Sequence, residues 1–169
     1  MQKAGPAVRS SPVMTARHPD ILLLGLGNDI LGDDAVGIVA ARLLKKEFRD
    51  EIDIVEAAAG GLELMELLAG YKKVLILDAI ITNEHPPGTI LELSKEEFKS
   101  SVAIAPHYVS LPEAFQLAEE LGITFPVTTH ILAMEIRDPF ELREGLSPAV
   151  ENALPLFLER AKKILSGLL

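Results

Sequence analysis

Apolar runs separated by polar turns mark out the strands that the chain is expected to form. The short continuous runs at 21–25 and 74–77 are typical of strands buried on both faces of a parallel sheet. A further strand is expected near 52–54 and another over 127–136, and the segment 89–93, which follows a Pro-Pro-Gly turn, is predicted to return antiparallel at a sheet edge.

Apolar residues spaced three or four positions apart predict helices between these strands. The predicted helices run from Asp34 to Phe48, over 62–69, from Ser110 to Gly122, and from Pro148 onward with Ser147 as N-cap. Alternating strands and helices with right-handed crossovers indicate an α/β fold, a three-layer αβα sandwich with a mostly parallel twisted sheet and one antiparallel edge strand. Such sheets bind their ligands at the carboxyl ends of the strands.

Length and composition favour one domain. The chain has 169 residues, of which 49% are hydrophobic and 24% charged, which is enough to build a single core over residues 21–169. Residues 1–20 contain three prolines and no apolar segment, so we expect a disordered tail there. The chain has no cysteine, which excludes disulfides, thiolate metal sites and cysteine nucleophiles and fits a cytoplasmic location.

The charge balance argues against some classes of partner. Sixteen lysines and arginines against 25 acids leave a formal net charge of -9, which repels nucleic acid and anionic membrane surfaces. The longest strongly apolar stretch, 21–27, is also much shorter than the roughly 20 residues of a membrane-spanning helix. We therefore expect neither nucleic acid nor a membrane as partner.

The turn after the first strand is glycine-rich but acidic. It starts like a dinucleotide-binding turn, yet the third glycine of that motif is replaced by Ile30, and Asp29, Asp33 and Asp34 would repel a pyrophosphate. These carboxylates suit a cation instead. The alternative is that the aspartates only cap the helix that follows.

Two more candidate residues follow strands or lie in loops. Asp78 comes directly after the apolar run 74–77, and His107 precedes the helix that starts at Ser110. With Asp34 they form a set of two carboxylates and one imidazole that suits nickel or zinc, although Asp78 as a turn cap and His107 as a solvated loop residue remain open. A serine triad of Ser110, His107 and Asp78 is disfavoured because no G-x-S-x-G motif is present and Ser110 is explained as an N-cap.

Four segments together resemble a known family. They are the G-L-G-N-x-x-L-x-D-D-x-x-G pattern over 25–37, Leu77-Asp78-Ala79 with Pro87-Gly88-Thr89, Pro106-His107, and the segment from Gly145 to Val150. In this order and spacing they resemble the hydrogenase maturation proteases, which are nickel-dependent endopeptidases. The resemblance covers residues 21–165.

The resemblance implies an enzyme that removes a C-terminal extension from the large subunit precursor of a nickel-iron hydrogenase once nickel is installed. Asp34, Asp78 and His107 then match the catalytic and metal-contacting positions. The nickel would be presented by the substrate, with zinc or cadmium able to take its place in isolation.

One loop departs from the family pattern. Where the family commonly has Asp-Gly-Gly-Thr-x-Gly, residues 56–61 read Glu-Ala-Ala-Ala-Gly-Gly. We expect Asn28, Glu56, Ala59 and Gly60 to contact substrate, so the altered loop leaves open a non-catalytic sensor or chaperone that detects nickel loading. A further alternative is a peptidyl-tRNA hydrolase-like enzyme, which shares the Gly-Leu-Gly-Asn turn but which the net charge opposes.

Overall fold

The computed structural model describes residues 20–94 and 111–169, in which the strands and helices follow one another in the predicted order. The strands are β1 (Ile21–Leu26), β2 (Asp53–Ala57), β3 (Lys73–Ile80), β4 (Ile90–Ser94) and β5 (Thr128–Glu135). The helices are α1 (Val36–Phe48), α2 (Gly61–Leu68), α3 (Leu111–Leu121) and α4 (Pro148–Leu168). Residues 1–19 of the predicted tail lie outside the described residues, as does the predicted site residue His107.

The five strands form one sheet in the order β2-β1-β3-β5-β4. Neighbouring strands are parallel except for β4, which pairs antiparallel with β5 at the edge, from Ile90 opposite Met134 to Ser94 opposite His130. Because consecutive β1 and β2 lie side by side while β3 returns to the other side of β1, the sheet changes winding direction between β1 and β3. The predicted α/β sandwich with one antiparallel edge strand is confirmed.

Each face of the sheet is covered by its own core. Helices α1 and α4 pack on one face, and their apolar side chains join alternate residues of the central strands, such as Leu23, Leu75 and Leu132. Leu22, Ile76 and Ile131 point to the opposite face, where they pack with Leu64 of α2. Central strands buried on both faces explain the continuous apolar runs of the sequence.

Strand β3 is longer than its apolar run predicts. Its pairing with β1 ends at Gly25 opposite Leu77, but its pairing with β5 continues through Asp78 to Ile80. Asp78 therefore lies inside the strand and not after it. The apolar pattern places this acid one step beyond the strand because hydropathy does not reveal backbone pairing with a neighbour.

Helix α1 also starts later than the sequence predicts. Residues Gly32–Ala35 form a 3-10 turn, in which the Asp34 N–H donates to the Leu31 carbonyl at 2.9 Å, and the α-helix begins only at Val36. Just beyond, Gly37 packs so tightly on the sheet that an added Cβ would lie 2.2 Å from the Leu77 oxygen and 2.4 Å from the Leu26 oxygen. The tighter turn thus connects β1 to a helix that is seated directly on β1 and β3.

Within residues 20–94 and 111–169, no helix combines the length and the apolar character needed to cross a membrane.

Candidate active site

Asp34 lies in the 3-10 turn at the carboxyl end of β1 and is buried, with 1% of its surface exposed. The turn is seated against Gly27, whose backbone has a φ of 147°. An added Cβ at Gly27 would lie 2.1 Å from the Asp34 carbonyl oxygen, so only glycine permits this approach. The glycine-rich sequence before the acids therefore serves to bring the backbone of Asp34 onto the end of the strand.

Asp78 lies on the neighbouring strand, at the first position of β3 beyond its pairing with β1. Its side chain is fully buried, and its Oδ1 accepts a hydrogen bond from the Ala79 N–H at 2.7 Å. This is the point at which the sheet changes winding direction, where open α/β sheets form their ligand-binding crevice.

The packing of α1 brings the two acids to the same edge. Gly37 follows Asp34 by one helical turn and touches the carbonyl oxygen of Leu77, the residue before Asp78. The structure thus places Asp34 and Asp78 beside the switch point, whereas His107 lies outside the described residues. Among the residues that are described, no group of three or more potential metal ligands of the His, Cys, Asp and Glu types is found.

The other two acids of the turn have different partners. Asp33 accepts two hydrogen bonds from Ser147, from its N–H to Oδ1 at 2.6 Å and from its hydroxyl to Oδ2 at 2.7 Å. Asp29 is exposed and binds Arg42. Neither the 3-10 turn nor α1 has a side-chain N-cap bond, so the structure does not support helix capping as the role of these aspartates.

Ser147 occupies the N-cap position of α4, with Pro148 as the first helical residue, as predicted. Its hydroxyl, however, makes no capping bond to the helix. The hydroxyl instead donates a hydrogen bond to the Asp33 carboxylate, which the tertiary fold holds nearby and which is a strong, charged acceptor.

Arg42 joins the turn to the carboxyl end of β2. Its guanidinium donates two hydrogen bonds to Asp29, at 2.6 and 3.1 Å, and one to Glu56 at 2.7 Å, and the bonds to these two carboxylates raise the pKa of Arg42 above its usual value. Sequence reasoning did not single out Arg42, because its partners lie 13 and 14 residues away and no local pattern connects them.

A groove of about 310 Å³ lies beside this arginine, and its lining includes Asn28 and Glu56, two of the predicted substrate contacts. Asn28 also accepts a hydrogen bond from the Ile30 N–H at 3.2 Å, which shapes the turn. Of the other two predicted contacts, Gly60 is exposed immediately before α2, whereas the side chain of Ala59 is fully buried in the core.

Glu135 is a further buried acid that the sequence analysis missed. It is 1% exposed at the end of β5 and accepts hydrogen bonds from the Thr82 N–H, the Thr82 hydroxyl and the Asn83 N–H at 2.7–3.0 Å. These bonds tie the loop after β3 to β5. The signal that pointed to Asp78, an acid at the end of an apolar strand, applies equally to Glu135.

A groove of larger volume, about 660 Å³, has none of these acids in its lining. It is lined by residues that include His130 of β5 and Arg160 and Lys163 of α4. Because it lies at the amino ends of the strands, it is separate from the site of Asp34 and Asp78.

The family model described as hydrogenase maturation protease matches residues 38–164 of the chain. The chain belongs to the hydrogenase maturation protease family. The matched range contains Asp78 and the segment around His107 but begins after Asp34.

Individual relatives support the same family assignment. The chain is 30% identical to the hydrogenase 2 maturation protease of Escherichia coli strain K12 over 144 residues, 83% of this chain and 87% of the relative. Among solved structures, the hydrogenase maturating endopeptidase HybD from E. coli superposes with a TM-score of 0.74 at 28% identity. The superposition covers 87% of this chain and 92% of the HybD chain. The NiFe hydrogenase maturation protease HybD from Thermococcus kodakarensis shares the fold, with a TM-score of 0.66 at 24% identity over 85% and 97% of the chains.

As a hydrogenase maturation protease, the chain is a member of a family of endopeptidases, and the resemblance drawn from its motifs is confirmed. The family assignment favours a hydrogenase maturation protease over a peptidyl-tRNA hydrolase-like enzyme.

Proposed function

We propose that this maturation protease removes a C-terminal extension from the nickel-loaded large subunit precursor of a nickel-iron hydrogenase. The observation that carries the proposal is the burial of Asp34 and Asp78 together at the switch point of the sheet. Carboxylates are costly to bury, and such arrangements are concentrated at functional sites. A cytoplasmic location is part of the proposal and agrees with the absence of cysteine.

The donor atoms fit nickel that arrives with the substrate. Asp34 and Asp78 would offer carboxylate oxygens, and His107 would add an imidazole nitrogen, a combination suited to borderline divalent ions. In this role the three residues bind the precursor only when its nickel is present, so the metal belongs to the substrate. Zinc or cadmium would take the place of nickel when the isolated protein is exposed to metal.

A carboxylate at this edge can also act as the general base of peptide hydrolysis. It would accept a proton from water as the water oxygen adds to the scissile carbonyl carbon, and return that proton to the amine when the C–N bond breaks. Nickel beside the scissile bond would polarise the carbonyl or activate the water. Asp34 and Asp78 are the two candidates for the base.

The groove beside Arg42 is the proposed contact for the precursor, through Asn28 and Glu56, with the exposed Gly60 as a further contact. Ala59 is left out because its side chain is fully buried in the core. Two observations favour the alternative of a non-catalytic sensor: Glu56 is held by Arg42, and alanines stand where the family commonly has Gly-Gly-Thr. A sensor would bind the nickel-loaded precursor without shortening it.

The test is the intact mass of the cognate large subunit precursor, prepared with and without nickel, before and after incubation with this protein. The proposal predicts loss of a C-terminal peptide from the nickel-loaded precursor only. Complex formation with an unchanged mass would support the sensor instead, and equal cleavage of both precursors would contradict the role of nickel.

A further inference from the structure

We propose that Asp33 and Ser147 are positioning residues that hold the turn carrying Asp34 for the hydrolytic step; this inference rests on the proposed function. Asp33 is buried, with 6% of its surface exposed, and both of its carboxylate oxygens accept hydrogen bonds from Ser147, at 2.6 and 2.7 Å. Hydrogen bonds to a carboxylate are shorter and stronger than those between neutral groups. The pair connects positions 114 residues apart in the chain.

Two further contacts join the same segments. Leu31 forms a parallel β-bridge with Arg143, and Gly32, with a φ of 45°, packs so closely that an added Cβ would lie 3.2 Å from the Glu141 carbonyl oxygen. The segment from Glu141 to Ser147 therefore lies along the outer side of the turn.

Asp34 is held from the other side as well. Its carbonyl lies against Gly27, while its neighbour Asp33 is bonded to Ser147. The 3-10 turn has only four residues, so a shift of Asp33 is transmitted to Asp34 through one peptide bond. Since a displacement of about 1 Å at a reacting group can cost about 100-fold in rate, the bond from the Ser147 hydroxyl is expected to influence turnover.

The substitution Ser147→Ala tests this role, because it removes the hydroxyl and keeps the backbone N–H bond to Asp33. Tyr71→Phe is a matched control: the Tyr71 hydroxyl also donates to a carboxylate, Oδ2 of Asp53 at 2.8 Å, but at the amino ends of the strands. Ser147→Thr restores a hydroxyl. Asp33→Asn is the second variant, and it keeps an acceptor for the Ser147 N–H.

The test is to determine kcat and KM for cleavage of the nickel-loaded precursor, well below the melting temperature of each variant. Ser147→Ala is expected to lower kcat at least tenfold with KM within twofold of wild type, Ser147→Thr to recover most of the loss, and Tyr71→Phe to leave kcat within twofold. A purely structural role predicts the same kcat for Ser147→Ala and Tyr71→Phe, and that result would overturn the proposal.

Amide hydrogen exchange provides a readout that does not depend on cleavage. The Asp34 N–H, bonded to the Leu31 carbonyl, is expected to exchange at least tenfold faster in Ser147→Ala and in Asp33→Asn than in wild type or Tyr71→Phe. Unchanged exchange in both variants would refute the positioning role. If the wild-type protein does not cleave the precursor but the amide exchange of Asp34 changes as expected in the variants, the proposed function fails. The role of Asp33 and Ser147 in holding the turn then still stands.

Discussion

Asp34 and Asp78 are buried carboxylates at the edge where β1 stops pairing with β3. Their neighbours Asp29 and Asp33 have similar sequence surroundings but different tasks, since one binds Arg42 and the other binds Ser147. Acidic residues that are close together in the sequence therefore have different roles, which depend on the partner that each side chain contacts in the fold. Burial separates Asp33 and Asp34 from the exposed Asp29, and its position beside β3 distinguishes Asp34 from Asp33, which binds Ser147.

The substitution Asp34→Asn is expected to lower precursor cleavage at least about 100-fold, because the amide keeps the shape of the side chain but can neither accept a proton nor bind a cation as an anion. His107→Ala is expected to have a similar effect. The measurement is the mass of the precursor over time. Asp50, which follows α1 and has a side chain that is 89% exposed, supplies the control: Asp50→Asn should cleave normally. Undiminished cleavage by Asp34→Asn would contradict the site assignment.

Tyr71 is expected to make stability pH-dependent above about pH 10, the ordinary pKa of tyrosine. Burial, followed by the hydrogen bond to Asp53, raises the pKa of Tyr71 in the folded state. Its contribution is therefore fully present below the unfolded pKa and is lost as pH rises toward the folded one. Urea unfolding from pH 8 to 11.5 checks this: the stability advantage of wild type over Tyr71→Phe should shrink above pH 10. A constant difference would argue against the assigned environment.

Helix α1 illustrates how one element organises the site. Its first turn rests on the carbonyl oxygens of Leu26 and Leu77, and this contact requires glycine at position 37 because any Cβ would overlap the backbone of both strands. The helix is thereby seated at the point where β1 and β3 stop pairing. The apolar face of the same helix then packs against α4.

Gly37→Ala is expected to lower the free energy of unfolding by at least about 2 kcal/mol, because the added methyl group must push apart well-packed backbone. Gly167→Ala, near the end of α4, is the matched control, since nothing lies within 4 Å of the added Cβ and alanine favours the helix. Urea denaturation of both variants measures the difference. Equal stabilities would show that α1 can move away from the strands at little cost.

Most element types were predictable from the sequence, whereas several boundaries were not. The buried strands and amphipathic helices follow from patterns that local hydropathy records, such as the run at 74–77. The extension of β3 through Asp78 and the 3-10 turn before Val36 depend on pairing with β5 and on contact with β3, which hydropathy does not record. The hydroxyl of Ser147 was assigned to a helix cap for the same reason, since Asp33 lies 114 residues away.

The acidic character of the whole chain bears on the peptidyl-tRNA hydrolase alternative. With a formal net charge of -9 and acids concentrated around the glycine-rich turn, the carboxyl edge of the sheet does not favour a phosphate backbone. The membership of the chain in the hydrogenase maturation protease family agrees with this.

We expect no binding of labelled tRNA at micromolar protein concentration and about 150 mM salt, because phosphate contacts require basic side chains that release counterions. An electrophoretic mobility assay, repeated at about 50 mM salt, measures this. Tight binding with a steep salt dependence would revive the alternative and weaken the protease proposal.

The fold class and the family follow from the sequence, because hydrophobic periodicity and short motifs are local properties of the chain. The same motifs point to Asp34 and Asp78 as candidate site residues. Tertiary structure alone decided which acids share an edge and which have other partners. Three sets of contacts join positions that are distant in the sequence: the ion pair of Arg42 with Glu56, the hydrogen bonds from Ser147 to Asp33, and the three hydrogen bonds to Glu135. Such contacts arise because backbone packing, as at Gly37 on β1 and β3, brings remote segments within hydrogen-bond distance.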